Sequence, residues 1–278
     1  LTAATTGNAS AGDSTISGVI GQSGGDQILS KIAAGVLTLS GANTYAGSTS
    51  VSAGTLAITH ANGLGATSGA TTVANGATLD LQGSAVGAEA VTLNGGTLRT
   101  SAGTSSLSGT VSLGANSTID VGTASQLTIS GVMSGGYGFT KTRAGTLVLG
   151  AANTYTGSTT ISGGTVKLGH ASALGTAAAG TAVSSGGALD LNGFSPATAE
   201  TLSLAGTGVS SGGALLNSGA AAVTVSGAVT LTAATTVNAS AGDITISGVI
   251  GQSGGNQILS KIGAGVLTLS GANTYAGS

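Results

Sequence analysis

Asp80, Asp120 and Asp190 each stand at the centre of an apolar-x-apolar triplet: Leu79-Asp80-Leu81, Ile119-Asp120-Val121 and Leu189-Asp190-Leu191. In an extended strand that placement turns the carboxylate away from its aliphatic neighbours. Paired carboxylates are the machinery of glycoside hydrolysis, which needs two of them about 5–9.5 Å apart. Asp80 and Asp190 recur at a shift of 110 positions. If the strands stack, five coils at about 4.8 Å each separate them by roughly 24 Å, too far to share one bond. A pair from different coils, such as Asp80 with Asp120, remains available. The other acidic residues are Asp13, Asp26, Glu89, Glu200 and Asp243. The reading for the whole set is solvated surface carboxylates, with a polysaccharide-degrading site as the alternative.

His60 and His170 raise metal binding, but they too are 110 positions apart and neither has a Cys or a second His nearby. Exposed loop residues are the expectation. No Gly-Gly-x-Gly-x-Asp nonapeptide repeat supports a calcium-binding β-roll. With two His in the chain and no nucleophile elbow, a serine triad has no support. Gly-rich runs such as Ser134-Gly135-Gly136-Tyr137-Gly138 lack the Lys-Ser/Thr of a phosphate loop and read as turns. Lys31, Lys141 and Lys261 recur at one point of a repeated pattern, with Arg143 beside one of them; solubility and strand-edge protection are expected of them rather than a basic recognition line. Tyr45, Tyr155 and Tyr275 recur in an Asn-Thr-Tyr turn, where packing beside Asn43, Asn153 and Asn273 is favoured over stacking on glycans. Outward Thr and Ser arrays raise ice or crystal binding, but a regular Thr-x-Thr ladder is present only in patches. No catalytic, cofactor-binding or metal-binding residue is assigned, and neither enzyme activity nor a cofactor is expected.

The elements that hold these residues follow from composition and spacing. Of 278 residues 52 are Gly, one is Pro and none is Cys, while aromatic residues make up 2% and charged residues 5%. A compact core of this size normally leans on aromatic side chains. Here Ala, Val, Leu and Ile carry the apolar content, which suits a core that is narrow and long, and the soluble surface must be Thr, Ser, Asn and Gly. Alternating aliphatic and hydroxyl residues argue against disorder. A net charge of -2 gives no electrostatic case for nucleic acid, and no run approaches the ~18 apolar residues of a membrane span. No basic, then apolar, leader opens the sequence.

Residues 34–58, AGVLTLSGANTYAGSTSVSAGTLAI, recur as 144–168 and begin again at 264. The pattern reads strand, turn, strand, turn, strand, with Leu37, Leu39, Val51, Leu56 and Ile58 on one inward row. Leu37 to Leu56 is 19 positions and Leu147 to Val166 is 19 again, the interval of one solenoid coil. On a larger scale residues 1–48 return as 231–278, a shift of 230, with four differences: Gly7/Val237, Ser14/Ile244, Asp26/Asn256 and Ala33/Gly263. A weaker half-repeat is offset by about 110, although Ser17-Gly18-Val19 returns as Ser130-Gly131-Val132 after 113. We therefore expect residues 1–278 to form one continuous all-β segment, a right-handed parallel β-helix, cut from a longer tandem array. At roughly 22 residues and 4.8 Å per coil it makes about a dozen coils and a rod about 60 Å long.

The motif Gly-x-Leu-x-Leu-x-Gly-x-Asn-Thr-Tyr-x-Gly-x-Thr-x-Val-x-x-Gly-Thr-Leu resembles the autotransporter-associated β-strand repeat, over 35–56 and 145–166 and in part over 265–278. The resemblance implies a parallel β-helix displayed outside a bacterial cell as stalk, adhesin or scaffold, and transfers no catalytic residue. The expected function is a structural cell-surface or extracellular fibre. Its expected partners are identical modules joined head to tail, with surface glycans or neighbouring cells as further candidates. A glycan-binding adhesin module and a polysaccharide-degrading enzyme are the alternatives.

Overall fold

The structure is a computed structural model and describes residues 5–7 and 12–277. Its named strands are short, most of them three to five residues, and every pairing between them is parallel. The chain winds as a solenoid with three faces, each strand lying on its counterpart one coil below. On the second face the inward column runs Leu37, Leu56, Leu79, Leu98 and Ile119, rung upon rung. All five are buried. The same strands turn Thr55, Thr78, Thr97, Thr118, Thr140 and Thr160 outward in one file. Like stacks on like because parallel in-register pairing repeats a residue's environment every coil. Each inward Leu, Ile or Val contributes about 1.5–3 kcal/mol by burial.

The three copies of the anchor motif do not stand above one another. From Leu29 the first face climbs through Thr49, Thr71, Val91, Val111 and Met133. Phe139, the equivalent of Leu29, begins on the second face, where it pairs with Ser117 below. That face then climbs through Thr159, Thr181, Leu202, Val229 and Ile250. Leu259, the third equivalent, begins on the third face, paired with Thr235. Each copy is therefore five coils and one face beyond the last. The first interval is 110 residues and the second 120, so the geometry is held while the length varies. Most of the excess lies in the coil from Leu202 to Val229, which carries the 3-10 turn Val209–Ser211. The rest is the connection 251–258, three residues longer than its counterpart 134–138.

Coils this close leave no room for side chains at some corners. A Cβ on Gly109 would overlap the carbonyl of Glu89, and one on Gly131 would overlap the carbonyl of Gly109. Gly131→Ala is therefore expected to destabilise the rod by about 1–3 kcal/mol, the typical cost of overpacking. Gly136, where an added Cβ would meet nothing within 4 Å, is the control: Gly136→Ala is expected to change little. Urea midpoints of the two variants against the parent check this, and equal midpoints would refute the corner-packing account.

Candidate functional site

The outward row that carries Asp80 and Asp120 also carries Arg99, which lies in register between them. Two rungs of about 4.8 Å put the two aspartates roughly 10 Å apart. Neither is free for acid–base work. Asp80 Oδ1 accepts the backbone N–H of Ser101 from the next coil at 3.0 Å and that of Gln82 at 3.4 Å. Asp120 faces guanidinium groups with both oxygens: Arg143 Nε at 3.1 Å and Arg99 Nε at 3.8 Å. Asp190 stands on the third face, where Oδ1 accepts the N–H groups of Asn192 and Ser218 and Oδ2 accepts the Ser218 hydroxyl at 2.6 Å. Lys167 Nζ completes that cluster at 3.7 Å. The expectation of solvated carboxylates fails for these three, which are 3%, 8% and 4% exposed. Though they point away from the aliphatic column, the turns above and below cover them. Asp80 and Asp190 hold the backbone of one coil to the next, and Asp120 holds two guanidinium groups. Asp13 and Asp243 are exposed, and make a similar link by accepting the N–H groups of Val36 and Val266.

The lysines depart further from expectation. Lys31 and Lys141 are inward and fully buried, Lys31 beneath Val51 and Lys141 between Ile119 and Ile161. Lys141 Nζ donates to the carbonyls of Thr142, Arg143 and Gly163 at 2.8, 2.8 and 3.1 Å. Lys31 Nζ does the same to Ala33 and Ala53. The Ala33, Ala53, Arg143 and Gly163 carbonyls lie at corners, and that of Thr142 at a strand end. An ammonium has three donors, which matches the need at Lys141. Lys261, in the last described coil, reaches Gly263 O at 2.8 Å and is exposed. The signal is legible in the sequence: Lys31 has the parity of Leu29, and Lys141 that of Phe139.

The Asn-Thr-Tyr turn is likewise a clip. Asn43 Oδ1 accepts Ile20 N–H from the coil below, and Nδ2 donates to Gly63 O in the coil above. Asn153 does the same between Met133 and Ala173. Tyr45 and Tyr155 are fully buried, each sharing a 2.7 Å hydrogen bond with Thr49 or Thr159. Packing, not glycan stacking, is their role, and Phe139 meets Tyr155 edge to face at 5.6 Å. Glu89 and Glu200, read from sequence as surface carboxylates, are instead inside the coil. His60 and His170 sit at different corners and accept the N–H groups of Asn62 and Ser172 through Nδ1. Among the described residues no group of three metal-ligating side chains converges. The outer surface bears two adjoining hollows of about 130 and 160 Å³, lined by residues such as Asn116, Thr140, Ser158, Thr160 and Ser203. Both are smaller than the ~300 Å³ at which small-molecule sites begin.

These pairings define a parallel β-solenoid of about 12 turns, built by a tandem motif that clips coil to coil. Three stretches, 29–58, 139–168 and 259–278, match the passenger-associated-transport-repeat family, so the chain carries that repeat twice in full and a third time in part. The family unit begins at Leu29, ahead of the resemblance at Gly35, and so includes the inward lysine. Over 280 residues the chain is 32% identical to the adhesin BmaC autotransporter of Brucella suis biovar 1 (strain 1330), an alignment covering 96% of this chain. The chain spans 7% of the length of that relative. No solved structure matches it.

Lys141 gives a test of the corner clip. Lys141→Met keeps the aliphatic stem but strands three carbonyls, at an expected cost of about 1–3 kcal/mol. Burial pushes the Lys141 ammonium down to about 8, against 10.5 in the open chain, with Asp120 opposing the fall. Between those values the unfolded chain holds more protons, so this group makes stability rise with pH from 8 toward 10.5. Denaturation midpoints across that window are expected to climb less steeply for the Met variant, and parallel curves would remove the assignment.

Proposed function

We propose that this chain is a displayed segment of a bacterial cell-surface passenger, an extracellular adhesin-like rod without enzymatic activity. The observation that carries the reading is the similarity to an adhesin autotransporter along almost the whole chain, on a fold that offers a long hydroxyl-coated surface with the two small hollows described above. The carboxylates that a hydrolase would need are engaged in joining coils. Adhesion is then a property of extended surface, shown on all sides because successive motif copies turn by one face. Surface glycans and neighbouring cells are the partners such a surface would meet.

The same geometry supports continuation head to tail. Residues 259–277 repeat 29–47, and 29–47 receive the next coil through pairings such as Leu29 with Thr49 and Leu37 with Leu56. An equivalent coil can therefore be stacked on the 259–277 layer, within one chain or between chains. Non-closing contacts of this kind generate filaments.

Antibodies against this segment are expected to label intact cells, and deleting it from the full-length protein is expected to lower attachment to cells or glycan-coated surfaces. Labelling that requires permeabilised cells would overturn the surface reading. By electron microscopy, a 230-residue module should advance about 51 Å, from ten coils and two faces at ~4.8 Å per coil. The isolated segment staying as discrete rods near 60 Å at every concentration would exclude joining between chains.

A further inference from the structure

Two polar constellations inside the solenoid serve neither the outer surface nor the corner carbonyls. Thr49 and Thr71 face inward on neighbouring rungs of the first face, and Thr159 and Thr181 do so on the second. In each case the lower threonine shares its hydrogen bond with a buried tyrosine, Tyr45 or Tyr155. The upper one donates to a buried glutamate: Thr71 to Glu89 Oε1 and Thr181 to Glu200 Oε1, both at 2.7 Å. The glutamates are 1% and 2% exposed, and Oε2 of each is buried without a hydrogen-bond partner. No ion pair among the described residues reaches either carboxyl. The titratable group facing Glu89 is Tyr45, and that facing Glu200 is Tyr155. The inward cations Lys31 and Lys141 are directed instead to corner carbonyls.

A bare carboxylate in such a place forfeits its hydration and gains one hydroxyl donor. Its neutral acid forfeits much less, because burial penalises charge far more than an unmatched polar atom. We propose that Glu89 and Glu200 are carried as neutral acids inside the folded rod, so that each of the two constellations takes up a proton as its coils close and the rod is held more firmly in mild acid than above neutrality. The constellation is repeated almost to the residue, at shifts of 110 for the tyrosine and both threonines and 111 for the glutamate. It marks a proton-binding feature of the repeat, independent of whether the surface is adhesive.

Burial pushes the Glu89 carboxyl up to about 7 from 4.5, the Thr71 hydroxyl opposing the rise. Burial pushes Glu200 up as well, opposed by Thr181. In that window the folded chain holds protons that the unfolded chain has released. The stabilisation is complete below the unfolded value and is lost as pH rises through the folded one.

The test is the folding equilibrium of the 278-residue chain between pH 4.5 and 8, for the parent and for E89Q/E200Q. The Gln pair mimics the neutral acids at every pH. The parent's folding constant is expected to fall relative to that of the variant by up to tenfold per pH unit per glutamate. Matching pH profiles would overturn the proposal. Because an amide also differs from an acid in its donors, carbon-13 titration of the glutamate carboxyls in the folded parent decides independently. Two glutamates still neutral at pH 5.5 support proton uptake; both ionised there refute it.

Discussion

A solenoid coil can lie on the next only if every backbone group caught between them finds a partner. Along the strands the parallel ladder meets that demand automatically. At the corners, where the chain turns, the ladder is interrupted, and some carbonyls are met by side chains instead. The structure meets the demand with a small set of side chains. Lys31 and Lys141 supply ammonium donors from within, Asn43 and Asn153 bridge three coils each, and Asp80 and Asp190 accept turn N–H groups from outside. An unpaired buried backbone group costs about 1–3 kcal/mol, comparable with the burial of one aliphatic side chain. The corners therefore matter to stability as much as the columns do.

This explains why so few charges accompany such specific placement. The 14 charged side chains of the sequence are not a solvation layer, which Thr and Ser provide. Several are structural donors and acceptors whose chemistry is already engaged. Asp120 between Arg99 and Arg143 is the clearest case: its separation from Asp80 comes near that of an inverting glycosidase, yet its oxygens both meet cations and a guanidinium lies between the two acids. Spacing alone would suggest a site; the hydrogen-bond and ion-pair partners show a clasp.

The strand columns are legible in the sequence because period-two alternation maps directly onto inward and outward faces. The stacking of Thr on Thr and Leu on Leu follows from the recurrence of one motif. The buried lysines escape a reading in which residue type outweighs parity: Leu-Ser-Lys alternates in the same way as Leu-Thr-Leu. The buried glutamates are harder. Ala88-Glu89-Ala90 lies in a corner without alternation, so nothing local fixes its direction, and only a coil-to-coil register brings Thr71 within reach. The asparagine clips are hidden for the same reason, since Ile20, Asn43 and Gly63 become neighbours only when three coils are stacked.

The turn of one face per motif copy follows from counting strands instead of residues. If each copy spanned a whole number of coils, its clips would form straight seams and two-thirds of the circumference would lack them. A remainder of one face spreads the inward lysine and the Asn-Thr-Tyr clip around the tube. The two intervals differ by ten residues yet keep the same remainder, because added residues enter a coil's loops without changing how many strands it contributes. Selection on such a rod can lengthen loops freely, but a gained or lost strand would rotate everything above it. The repeat is thus constrained by strand number, and its surface is free to vary.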